Sequence, residues 1–187
     1  MDERMCEPKN FYIWLLQFVA LLGLLVLCLW LALRPKSPSY TIVFITIPQA
    51  SGENSTIFYG LEIENPNKES SIFYDDISLS FLYGQETVGE TSISSFHQGT
   101  DKTRLVANTV NAKSRTMQSI SNAISNATAE LKVALATRLR YKTWGIKSKH
   151  HHVNLQGILP IGSDGKLSGK KVTLSHNFKK SGRSKVK

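Results

Sequence analysis

The hydrophobic pattern changes character abruptly after residue 33. From Phe11 to Leu33 it has no period: FYIWLLQFVALLGLLVLCLWLAL carries no charge, and Gln17 is its only strongly polar residue. As a helix rising ~1.5 Å per residue this run is roughly 35 Å long, enough to cross the hydrocarbon core of a bilayer. Tyr12 and Trp14 lie near one end and Trp30 near the other, where aromatic rings favour the headgroup zone. The run exceeds the roughly 7–15 apolar residues of a secretory leader, and no small-x-small cleavage site follows it. An uncleaved signal anchor is expected.

Beyond Pro35 the dominant period is two, which predicts strands. Tyr40–Pro48 is rich in β-branched and aromatic residues. In Thr56–Glu64 the residues Ile57, Tyr59, Leu61 and Ile63 share one face, and Ile77, Leu79, Phe81 and Tyr83 repeat the arrangement. Asn65-Pro66-Asn67 marks a turn between these two strands, because proline fixes φ and asparagine tolerates unusual backbone angles. Gly84-Gln85-Glu86 is the next turn, followed by strands over Thr87–Ile93 and Thr103–Val110. Met117, Ile120, Ile124 and Ala127 recur at helical spacing, so Ser114–Thr128 is expected to be a short helix capped by Ser114.

The clearest strand is Glu130–Trp144, with Leu131, Val133, Leu135, Leu139 and Tyr141 alternating with Lys132, Arg138, Arg140 and Lys142. One set belongs to a core and the other forms an outward positive stripe, extended by Lys147 and Lys149. Strands over Val153–Leu159 and Lys170–Ser175 flank a turn at Ser163-Asp164-Gly165. About seven strands and one minor helix predict a mainly β protein built as a β-sandwich. The expected organisation is a tail (1–10), the anchor (11–33), the sandwich (34–175) and a basic C-terminal tail (176–187).

Charge sharpens this picture. The chain carries +9, yet residues 34–101 hold three Lys/Arg against nine Asp/Glu, and residues 102–187 hold eighteen against two. Such a basic half attracts polyanions: acidic polysaccharide, anionic lipid or nucleic acid. Nucleic acid is set aside, because Phe178 among Lys179, Lys180 and Arg183 has no recognised nucleic-acid motif around it and the anchor is adjacent. The cysteines, Cys6 and Cys28, lie before and within the apolar run, so no disulfide staples the domain; Cys6 is a palmitoylation candidate. Lys/Arg residues are tied across the anchor, Arg4 and Lys9 against Arg34 and Lys36, so the flanks do not set orientation. Acceptor tripeptides at Asn54 and Asn126 tilt it towards an external domain.

Chemistry is sparse. The chain lacks GxSxG, Walker, HExxH and paired CxxC patterns. Asp75-Asp76 is two adjacent carboxylates rather than a cation cage, and reads as a polar bulge. In His150-His151-His152 the outer pair would share a strand face but needs a third ligand, so these residues read as solvated and basic. No catalytic residue, metal or cofactor is expected, and the protein is not expected to be an enzyme.

In their order and spacing, several segments resemble a plant family, the non-race-specific disease resistance and harpin-induced-like membrane proteins with a late embryogenesis abundant group-two domain. They are Leu29-Trp30-Leu31-Ala32-Leu33-Arg34-Pro35, Asn65-Pro66-Asn67-Lys68, Ile72-Phe73-Tyr74-Asp75-Asp76 and Phe96-His97-Gln98-Gly99. The resemblance implies a single-pass plasma-membrane protein of plant defence with an immunoglobulin- or fibronectin-III-like sandwich. It implies structural motifs and no catalytic residues. Some relatives end in a second hydrophobic stretch, whereas this chain ends in SGRSKVK, so the N-terminal anchor alone is expected to hold it. An adhesion-type Asn-Gly-Asp tripeptide of a relative is missing; Ser163-Asp164-Gly165 lies in the comparable region as a turn.

The functional expectation is a membrane-tethered interaction or adhesion module of defence signalling. Its N-terminus is cytosolic and its domain external, facing defence partners and acidic cell-wall polysaccharide. The alternative is anionic-lipid binding or lipid transfer by the sandwich at a membrane surface.

Overall fold

The computed structural model describes residues 8–32, 34–48, 56–112, 114–125 and 129–176. The chain divides into two units, Met1–Pro35 and Lys36–Lys187. The first contains α1 (Pro8–Ala32), whose stretch Phe11–Leu31 is long and apolar enough to cross a membrane.

The second unit is a sandwich of two antiparallel sheets. The smaller consists of β1 (Ser39–Thr46), β2 (Thr56–Asn65), β7 (Lys102–Asn111) and β11 (Val172–Thr173), in the order β11-β1-β2-β7. The larger is centred on β8 (Glu130–Thr143). Along one edge of β8 run β3 (Ser70–Tyr74) and β4 (Ile77–Tyr83); along the other run β9 (Ile146–Lys147) and β10 (His151–Pro160). Outside β4 and β3 lie β5 (Glu86–Ile93) and β6 (Phe96–Gln98).

The seven segments of the larger sheet form four lines, three of them interrupted. Tyr74 faces Leu139 and Ser78 faces Ala136, so the three residues 75–77 oppose the two residues 137–138. This is a β-bulge: one extra residue that keeps Tyr74 and Ile77 both pointing inward. Asp75 N–H donates to the Arg138 carbonyl at 2.8 Å, and the buried Thr137 hydroxyl donates to the Asp75 carbonyl at 3.3 Å.

The core alternates as period two requires. Tyr40, Ile42, Tyr59, Leu61 and Ile63 of the smaller sheet meet Ile72, Leu79, Phe81, Val133, Leu135 and Leu139 of the larger. The Tyr59 and Phe81 rings lie 5.3 Å apart at its centre. Helix α2 (Ser114–Ser125) adds Met117, Ile120, Ala123 and Ile124 to the core.

Several expected elements change. The turn at residues 65–67 leads into β3, because the bulge at 75–77 splits a strand that the sequence pattern starts only at Ile77. The short β6 also goes beyond the expected set. The strand expected over Lys170–Ser175 is two residues long, Val172–Thr173. The helix is described to Ser125, while Asn126 lies outside the described residues, as do Asn54 and Cys6.

Candidate functional site

Strand β8 sends Leu131, Val133, Leu135, Leu139 and Tyr141 into the core and Lys132, Arg138, Arg140 and Lys142 to the outer face. Side chains directly opposite on antiparallel neighbours share a face. Phe73 therefore lies beside Arg140, Ser71 and Lys147 flank Lys142, and His152 lies beside Arg138. Lys147 reaches across, its Nζ 4.9 Å from the Phe73 ring centre, and the His97 ring lies 4.3 Å from Phe73 on the far side.

These six sequence-derived basic positions are not equivalent. Arg138 is neutralised by Asp75, with Nε 3.2 Å from the carboxylate. Among the described residues Arg140, Lys142 and Lys147 have no ion-pair partner, and the buried Nε of Arg140 has no hydrogen-bond partner. Lys132 stands apart: Ala134 and Ala136 occupy the outer face between it and Arg138, a separation of roughly 20 Å along the strand. Lys149 is exposed, two residues beyond Lys147. The concentrated positive surface is thus Arg140, Lys142 and Lys147 around Phe73.

The acidic pair is committed to structure. Asp75 holds Arg138, and Asp76 Oδ1 accepts the Ser95 N–H at 2.7 Å. Both line an open groove of about 530 Å³ with Ala136, Thr137, His152 and Asn154. His150 precedes β10 while His151 and His152 begin it, so the outer histidines do not share a regular strand. Among the described residues no three His, Cys, Asp or Glu side chains gather as a metal site.

The remaining motif residues build a polar hub. Asn65, wholly buried, donates through Nδ2 to the Ser70 and Gly99 carbonyls, each at 2.9 Å. Its Oδ1 accepts Asn67 N–H at 3.1 Å and Asn67 Nδ2 at 2.9 Å. Asn67 in turn clamps Lys36: Lys36 N–H donates to Oδ1 at 2.6 Å, and Nδ2 donates to the Lys36 carbonyl at 2.8 Å. Gln98 Nε2 donates to the Ile63 and Lys102 carbonyls. Pro66 and the exposed Lys68 complete the turn.

Next to this hub the Tyr74 ring stacks on Phe96 at 4.6 Å and meets Tyr40 edge-on at 6.4 Å. Arg104 caps Phe96 from the other side at 4.3 Å. Burial pushes the Tyr40 and Tyr74 hydroxyls far above the usual phenol range, and neighbouring tyrosines add to the rise. Burial also raises Tyr141, moderated by nearby Ser37, and Tyr59, moderated by nearby Thr91.

Two features escaped the sequence pattern. Phe73 sits in a segment whose alternation is cut short by the bulge, and Trp144, expected to end a strand, forms a turn. For Phe73, the Ser70-Ser71-Ile72-Phe73-Tyr74 alternation held the signal once Ile72 and Tyr74 are placed inside.

The late embryogenesis abundant protein family model matches residues 60–157. Protein NDR1 of Arabidopsis thaliana is 30% identical over 171 residues, spanning 83% of this chain and 77% of that protein. NDR1/HIN1-like protein 2 of the same plant is 25% identical over 159 residues, spanning 76% and 65% respectively. The solution structure of another Arabidopsis thaliana protein aligns with a TM-score of 0.45 at 11% identity, covering 69% of this chain and 85% of that one. With a matching domain, and with 30% identity to NDR1 over an alignment spanning most of both chains, this chain belongs to the NDR1/HIN1-like family of late embryogenesis abundant group-two proteins.

Proposed function

We propose that this protein is a single-pass, plasma-membrane interaction module of plant defence signalling, non-enzymatic, with its sandwich outside the cell. Its working surface is the outer face of the larger sheet, and its preferred ligands are acidic, cell-wall polyuronate foremost. The observation that carries the reading is the unpaired trio Arg140, Lys142 and Lys147 around Phe73, beside an Arg138 that is already neutralised. A guanidinium fork matches a carboxylate in geometry, and the neighbouring lysines add point charges beside it. A polyuronate offers carboxylates in series, so several weak, salt-screened contacts add up along one chain.

The defence context rests on family membership, and anchoring rests on the apolar length of α1. Lipid transfer draws no support from the interior, where buried side chains of both sheets fill the core. The test is retention of the full chain, in neutral detergent micelles, on immobilised polygalacturonate as salt is raised. Retention at low salt that declines steadily is expected. No retention, or retention indifferent to salt, overturns the reading.

A further inference from the structure

The most exposed large apolar side chains outside α1, among the described residues, are Trp144 and Ile146, at 70% and 77%. They occupy the tip of the β8–β9 hairpin, where Thr143 faces Ile146 across a two-residue turn of Trp144 and Gly145. Both turn residues have positive φ, 50° at Trp144 and 85° at Gly145. Such turns favour asparagine or aspartate at the first position, because a bulky side chain is strained there. A tryptophan therefore sits where it costs backbone strain and contributes nothing to the core. Strain held at an exposed aromatic points to a use outside the fold.

The position of the tip indicates that use. Thr143 lies opposite Ser70, whose carbonyl is held by Asn65, and Asn65 holds the Asn67 that clamps Lys36. The hairpin tip and the first residue of the domain are consequently at one end of the sandwich. Only three residues separate Lys36 from Ala32, the last residue of α1, a reach of at most about 14 Å. The same end carries exposed Lys36, Lys68, Lys102, Lys142 and Lys147 against the three carboxylates Glu64, Glu69 and Asp101. Exposed tryptophan and isoleucine ringed by lysines is the chemistry of a bilayer interface, with the aromatic ring at headgroup depth and cations on anionic lipid.

We propose that the Trp144–Ile146 hairpin tip docks the sandwich onto the membrane that its own anchor crosses. Trp144 and Ile146 enter the headgroup zone, and Lys36, Lys68 and Lys102 lie over anionic headgroups. This arrangement rests on the anchor of the reading above but not on polysaccharide binding. It sets the domain down on the bilayer, with the outer face of β8 rising beside the contact.

The test uses the full chain carrying Trp14→Phe and Trp30→Phe, so that Trp144 is the sole indole, reconstituted in vesicles of phosphatidylcholine and phosphatidylglycerol. Emission shifted to the blue, with strong quenching by lipids brominated near the headgroup, is expected. Ile146→Ser should lower the quenched fraction's partition constant about tenfold, the worth of one buried aliphatic side chain. Emission typical of water-exposed indole, untouched by brominated lipid and open to aqueous iodide, overturns the proposal. So does a blue shift that follows protein density and ignores the bromine, because a second copy then covers the tip. Trp144→Asn suits the turn and should melt no lower than the native chain. In that variant the slowed amide exchange of residues 140–148 seen in vesicles, relative to micelles, should be lost; exchange that stays slow also overturns the proposal. Loss of polygalacturonate retention with quenching intact would sink only the earlier reading.

Discussion

Asn65→Ala is the sharpest probe of the hub that joins three turns of the sandwich. The side chain makes four hydrogen bonds inside the protein, donating to the Ser70 and Gly99 carbonyls and accepting both the N–H and the Nδ2 of Asn67. Truncation strips partners from two carbonyls and from two Asn67 donors. Each orphaned buried group costs about 1–3 kcal/mol, and partial access of water at the half-buried Gly99 brings the total to roughly 3–4 kcal/mol. For a domain of this size that corresponds to a fall in melting temperature of roughly 6–16 °C. It raises the unfolded fraction by more than a hundredfold, since each ~1.4 kcal/mol is a factor of ten. The assay is urea unfolding of the full chain in neutral micelles, followed by near-ultraviolet circular dichroism, beside Pro66→Ala, which removes no hydrogen bond and should cost less than about 1 kcal/mol. Asn65→Asp adds a second signature. At neutral pH its carboxylate faces two carbonyl oxygens, and the penalty should shrink as acid restores one O–H donor. An Asn65→Ala protein within about 1 kcal/mol of the native chain would refute the hub.

Gly165→Ala should destabilise strongly, by about 2–4 kcal/mol in the same urea assay, because φ is +73° and a methyl group would meet the Ile47 carbonyl, part of the backbone; an unchanged midpoint would contradict that packing. Gly60→Ala should be milder, since the obstructing atom belongs to the half-exposed Phe44 ring, which can swing away. Alkaline pH should unfold the domain. The four buried tyrosines Tyr40, Tyr59, Tyr74 and Tyr141 hold their protons more tightly folded than unfolded, so the unfolded chain binds fewer protons above the ordinary phenol range. Their stabilising contribution is complete below pH ~10 and declines above it, by up to about 1.4 kcal/mol per pH unit per tyrosine. Phenolate absorbance lagging behind that of free tyrosine until the cooperative transition is the expected reading. Enzymatic deglycosylation of protein from plant membranes should lower its apparent mass, and Asn54→Gln with Asn126→Gln should abolish that shift; a native protein insensitive to glycosidase speaks against an external domain.

Most of this architecture was legible in the chain because burial imposes period two wherever one sheet face meets a core. β8 shows it best: fourteen residues of alternation, with Leu131, Val133, Leu135, Leu139 and Tyr141 inside and the basic positions outside. The break at Asp75–Ile77 was harder, since one extra residue resets the alternation and splits one line into β3 and β4. Asn65, Asn67 and Gln98 stand out in the sequence as motif residues, but their work depends on partners up to 35 positions away. The basic stripe is visible in the alternation of the sequence, but its unevenness is not. Asp75 silences Arg138, and alanines isolate Lys132, through register that only the folded sheet defines. Trp144 looked like one more strand residue because positive φ leaves no mark on hydrophobic pattern.

The claim on which the functional account stands is that acidic ligands are held by Arg140, Lys142 and Lys147. Polygalacturonate affinity at low salt should be compared between the native chain, a variant with Arg140→Gln, Lys142→Gln and Lys147→Gln, and a Lys132→Gln control, each first shown to melt as the native chain does. The account predicts that the triple variant loses most of its retention and its salt dependence, while Lys132→Gln stays near native. Native retention in the triple variant, or an equal loss from Lys132→Gln alone, would contradict it.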